Sequence, residues 1–247
     1  MVKLTVPKSN TTEFFMILKN EFNQIIGNEI SEPFPKESPP KVRMHGTYCI
    51  LEPLDIARHS SLLFDALLQD NDGSSWTYLP YGPFDSCAEF QDWLTSTTSE
   101  SDTILYAILD SKNQAPIGIS GYLRINPEHG VIEVGHLHFS KLLQKTPAAT
   151  EAMYLMMNYA FETLKYRRYE WKCNSLNQAS KDAALRLGFT YEGTFRQSNV
   201  YKNRNRDTAW FSILDHEWPN LKKKLEQWLE PSNFDMQGKQ KISLRAI

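Results

Sequence analysis

At 247 residues the chain is long enough to bury one substantial core and still carry appendages. Its hydrophobic content of 41% and charged content of 23% are those of a globular protein, and a net charge of −2 excludes a general attraction to nucleic acid or to anionic membranes. No apolar run reaches the length of a signal peptide or a membrane span, so a cytoplasmic protein with neither a membrane nor a nucleic-acid partner is expected.

Residues 1–46 read as an extension. Phe15, Leu18, Phe22 and Ile25 recur at three, four and three residues and predict a helix over Thr12–Ile26, followed by a proline-rich segment. A compact part, 47–217, begins with a strand at Tyr48–Leu51 and a helix at Asp55–Leu68 with Asp55 as its cap. The segment Ser75–Phe84 carries Trp76, Tyr78, Tyr81 and Phe84 on a chain broken by two prolines and a glycine. It is either the closure of the core's edge or a wall of a pocket. A helix at Asp85–Thr95 precedes an antiparallel hairpin of Thr103–Leu109 and Ile117–Ile125. Further on, Arg168–Cys173 is a strand, Asn177–Leu187 a helix closed by Gly188, and Phe189–Tyr201 with Thr208–Leu214 a last hairpin. Residues 218–247 hold a short helix, Pro219–Leu229, and a polar tail expected to be loose or draped on the surface.

The stretch Val131–Leu164 organises the rest. An apolar strand, Val131–Ser140, turns into a long helix that begins at Pro147 and is apolar nearly all round, with a narrow polar stripe at Glu151, Tyr154, Asn158, Glu162 and Lys165. Since a whole helix separates this strand from Arg168–Cys173, the two should run parallel in an otherwise mostly antiparallel α/β (α+β) sheet. Pro147 suits a first helical turn, and the amides that follow on Ala148, Ala149 and Thr150 leave the helix start open to an anion. No acidic side chain precedes Glu151, and Lys141 and Lys145 add positive charge, so the turn reads as a pyrophosphate cradle. The three cysteines, Cys49, Cys87 and Cys173, lack metal-ligand spacing and read as buried thiols; no cluster of residues suggests a metal site.

Three segments in this order and spacing resemble the GNAT superfamily of N-acetyltransferases, and most closely its ribosomal-protein N-terminal acetyltransferase branch. Gln144–Ala152 stands where the family has Gln/Arg-x-x-Gly-x-Gly/Ala, with Pro147 in place of a glycine; Asn177–Ser180 stands where it has Asn-x-x-Ser; Leu187-Gly188-Phe189 with Glu192-Gly193 matches the helix exit. The resemblance implies a splayed pair of central parallel strands, acetyl-coenzyme A as co-substrate, and a small-molecule amine or a peptide N-terminus as acceptor. It places the backbone of His138, Phe139 and Ser140 along the pantetheine arm, and Gln144, Lys145, Thr146, Ala148, Ala149 and Thr150 around the diphosphate. Asn177 becomes a partner for the pantetheine amides.

Amine attack needs a base, because alkyl ammonium groups are mostly protonated at neutral pH. By its distance from Gln144, Glu133 resembles the glutamate base of the histone-acetylating branch; the alternative is an ion-paired strand residue. His136 and His138 are the runners-up, or core histidines. Ser180 resembles the serine that protonates the leaving thiolate, while Asn199 and Ala184 replace the glutamate base and the tyrosine acid of other members. Arg206 and Asp207, in the last hairpin, either receive a carboxylate and an amine from the acceptor or pair locally. A non-catalytic acyl-coenzyme A sensor is the competing reading.

Overall fold

The computed structural model describes residues 18–68 and 73–247, divided between two units, Met1–Pro33 and Phe34–Ile247. In the first unit β1 (Leu18–Lys19) and β2 (Ile25–Ile26) form a small antiparallel hairpin. This corrects the helix expected over Thr12–Ile26, of which residues 12–17 lie outside the described residues. The cause is local. The Asn20 side chain accepts from the amides of Phe22 and Gln24, both at 3.0 Å, and Asn23 sits at φ 64°, so the backbone turns where a helix would have continued.

The second unit is built on an eight-stranded sheet in the order β3-β4-β5-β6-β7-β8-β10-β9. The strands are β3 (Met44–His45), β4 (Cys49–Pro53), β5 (Ile104–Asp110), β6 (Pro116–Asn126), β7 (Val131–Phe139), β8 (Arg168–Asn174), β9 (Thr190–Tyr201) and β10 (Arg204–Leu214). Every neighbouring pair is antiparallel except β7 and β8. The segment before β4 belongs to this unit as well: β3 pairs with β4, and the Tyr166 hydroxyl donates to the Glu37 carbonyl.

Both faces of the sheet are covered, which is why β5 reads as an unbroken apolar run. Ile104, Tyr106 and Ile108 enter one core, and Leu105, Ala107 and Leu109 the other. The second core is completed by α1 (Ile56–Leu67) and α2 (Cys87–Thr98), capped by Asp55 and Ser86, whose side chains accept from the Arg58 and Glu89 amides. The first core is filled by α3 (Pro147–Asn158), with α5 (Trp218–Leu229) packed against it. Met153, Met156 and Met157 are buried there, each contributing about 2 kcal/mol by the area it removes from water. α4 (Gln178–Arg186) follows β8.

The polar stripe is buried at its start, at Glu151, and reaches solvent only at Glu162 and Lys165. Tyr154 donates to Glu226 of α5, and Glu151 is 4% exposed, accepting from the amides of Thr47, Tyr48 and Cys49 at 2.7, 2.6 and 2.8 Å. Gly46 is required beside it, since a Cβ there would meet the carboxylate at 2.3 Å. The tail is not loose. Phe234 packs on Tyr48 and Trp228, Asn233 bonds the carbonyls of Trp228 and Ile242, and Leu244 is buried.

Candidate active site

The site is opened by a defect in β7. Gly121 pairs with Gly135 and Ile119 with His138, so two residues, His136 and Leu137, oppose Ser120 alone, with His136 at φ 49°. The parallel ladder to β8 runs from Val131 opposite Arg168 only as far as Val134 opposite Trp171. Beyond that pair β7 and β8 part, and two cavities meet in the gap. One is about 820 Å³ and the other about 400 Å³; Tyr78, Leu137, Trp171, Asn177 and Ser180 line both.

The larger cavity runs past the start of α3. His138, Phe139, Gln144, Lys145, Thr146, Ala149, Thr150 and Asn177 line it, whereas the buried Ala148 does not. Nor does Ser140: its amide donates to the Ile117 carbonyl and its carbonyl receives the amides of Leu143 and Gln144, so it anchors the turn from beneath. The Gln144 side chain donates to the Phe139 carbonyl at 2.6 Å, which holds the strand end to the turn. Thr146 caps α3, accepting from Ala149 N–H at a long 3.4 Å. Among the described residues no protein acceptor meets the amides of Lys145 and Ala148. Free amides at a helix start, flanked by an apolar slot of Leu137, Phe139, Met153 and Trp171, fit the diphosphate and pantetheine of coenzyme A.

The smaller cavity is charged. Glu133, 3% exposed, is gripped by Arg124 at 2.7 Å and Lys172 at 2.7 Å, and Lys172 also reaches Glu170 at 2.8 Å. Burial pushes the Glu133 carboxyl above its ordinary value against the pull of those two cations. His136 bonds the Tyr81 hydroxyl through Nδ1 at 2.9 Å, and burial, helped by Arg124, pulls its ring down to about 4. It is therefore neutral at neutral pH. His138 is buried against Trp76, ring centroids 3.9 Å apart, and reaches Ser75 Oγ through Nε2.

Ser180 Oγ accepts a hydrogen bond from the Trp171 indole N–H at 3.0 Å and is itself within hydrogen-bond reach of the Cys173 thiol. Asn177 caps α4 through Oδ1, which accepts from Ser180 N–H, so its amide NH2 is left toward the cavities. Arg206 lines the smaller cavity over the Tyr201 ring, whereas Asp207 turns away to the Gln197 amide and the Asn205 side chain.

The aromatic segment does both things considered for it. Trp76, Tyr81 and Phe84 join the second core with Phe90 and Trp93, while Tyr78 and Tyr81 face the cavities. It is tied across the gap to the last hairpin, with Tyr201 donating to the Tyr78 carbonyl and Lys202 to the Trp76 carbonyl. Sequence reasoning missed Trp171, Arg186 and the tail residues Phe234, Lys239 and Gln240, which also line the larger cavity. Arg186 carried only the signal of a cation in a last helical turn.

A family model described as an acetyltransferase (GNAT) domain matches residues 49–190. The crystal structure of a GCN5-related N-acetyltransferase from Brucella melitensis superposes with a TM-score of 0.85 at 42% identity, covering 87% of this chain and 98% of that one. A GNAT-family structure from Chromobacterium violaceum gives 0.74 at 44% identity over 79% of this chain and 98% of its own. Among curated relatives, a candidate ribosomal N-acetyltransferase of Bacillus subtilis, YdaF, is 25% identical over 186 residues, 74% of this chain and 98% of that protein.

Proposed function

Since the chain belongs to the GNAT family and is an acetyltransferase, we propose that it moves an acetyl group from acetyl-coenzyme A to a primary amine of a small molecule or a peptide N-terminus. The observation that carries this reading is the junction of the two cavities at Leu137, Trp171, Asn177 and Ser180, beside the point where β7 leaves β8. A donor lying in one and an acceptor in the other would meet there.

Acetyl-coenzyme A, when bound, supplies the activated thioester; the protein supplies alignment and proton management. Residues 137–139 face the gap rather than β8, and a fixed backbone N–H there suits the oxygen that gains charge when an amine attacks. Glu133 is the base we assign: buried on the acceptor side with a raised carboxyl, it receives the amine's proton through a water. Ser180 has a lone pair engaged by Trp171, and its proton, shared with the Cys173 thiol at rest, passes to the sulfur that departs. Asn177 offers its amide to the pantetheine arm. A cytoplasmic location goes with this reading and with three free cysteines; no described helix is long and apolar enough to cross a membrane.

The test is thiol release from acetyl-coenzyme A against a panel of small amines and free-amino peptides, with mass spectrometry of the acceptors. Acetylated acceptor in step with thiol release is expected. Tight binding of acetyl-coenzyme A with no acceptor acetylated would favour a sensor instead.

A further inference from the structure

Arg186 ends α4 half-buried against the larger cavity, its Nη1 donating to Thr150 Oγ1 at 3.0 Å and its guanidinium lying 4.7 Å from the centre of the Trp228 ring. Among the described residues no carboxylate pairs with it, and its nearest charged influence is another cation, Arg245 of the tail. Burial and Arg245 both act against the charged form. A guanidinium in such a place is satisfied when an anion is brought to it. Trp228 is fixed for this purpose: its indole N–H donates to Gln240 at 2.9 Å, and Phe234 packs edge-on at 5.0 Å. Phe234, Gly238, Lys239 and Gln240 of the tail line the same cavity.

Arg186 bonds Thr150 in the first turn of α3 and reaches from there to the wall formed by the tail. We propose that Arg186, held over the Trp228 ring and flanked by the tail turn 238–240, is a second phosphate subsite that reads the phosphomonoester on the ribose of coenzyme A. The inference rests on the acetyl-coenzyme A reading above and adds a discrimination within it. Arg suits the role because its planar fork takes two phosphate oxygens at once while its face remains on the indole.

Calorimetry with coenzyme A and 3′-dephospho-coenzyme A on the full chain decides it. The wild type should bind coenzyme A at least about tenfold more tightly, and Arg186→Gln should remove that difference by weakening coenzyme A alone, while Arg186→Lys restores part of it. Thermal denaturation of each variant without ligand verifies that the fold is kept. Equal affinity of the wild type for the two ligands, or an Arg186→Gln variant that weakens both alike, would overturn the proposal and leave the transferase reading standing. Binding of neither ligand would overturn both.

Discussion

The two cavities that meet at Trp171 and Ser180 are built from different materials. The larger is lined by the turn that opens α3, by apolar side chains, by Lys145 and Lys239, and by a single guanidinium over an indole. The smaller is lined by Arg124, Glu133 and Lys172, ion-paired in a chain that ends on Glu170 behind them, with His136 beside it. A wall of amides tolerates changes of side chain, which is why Pro147 can stand at the start of α3 without closing the cradle. A wall of paired charges does not, because removal of one partner leaves another buried and uncompensated.

Glu133→Gln should break the comparison most sharply. If the carboxylate is the base, kcat falls about 10² to 10³-fold and the acidic limb of its pH profile disappears, while calorimetry finds the affinity for coenzyme A unchanged. A rate near wild type would reduce Glu133 to an ion-pair partner. Glu151→Ala attacks the cofactor side from behind. Three amides at the start of β4 lose their acceptor, and a loss of about 3 kcal/mol, seen as a thermal midpoint lower by roughly 10 °C, is expected.

Acid should act through His136. Its ring is held near 4 in the fold against an ordinary 6.5, so the folded state favours the neutral form. The stabilisation is complete above about 6.5 and is lost as pH falls toward 4, by at most about 3 kcal/mol. Denaturant midpoints at pH 7.5 and 4.5 should therefore drop less for His136→Gln than for the wild type. An equal drop would show that other groups govern the acid transition. Ser180→Ala is the mildest: about a tenfold fall in kcat that shrinks with acceptors tested on a thioester of more acidic thiol, because such a sulfur needs no proton.

What the sequence revealed follows the same division. The strand, turn and helix from Val131 to Asn158 are contiguous, and periodicity, Pro147 and the Asn177–Ser180 spacing were sufficient to point to the residues that line the larger cavity. The acceptor cavity draws Tyr81, Asp102, Arg124, Glu133, Lys172 and Arg206 from separate elements, and no local pattern says that they converge. Glu151 was misread for the reverse reason. Helical spacing put it in a polar stripe, but an amide cluster remote in sequence buries it. The tail's polar composition concealed Phe234 and Leu244, whose few apolar contacts suffice to hold it down.

The extra residue in β7 has a geometrical effect beyond the gap it opens. Ile132 and Val134 enter the first core, but after the irregularity it is Phe139 that packs against that core, and His138 that meets Trp76 of the second. Inside and outside exchange parity at His136–Leu137. A chain one residue shorter there would form a regular ladder with His138 and Phe139 still on their present faces, so what the extra residue supplies is the local bend at His136 beyond which residues 137–139 leave β8.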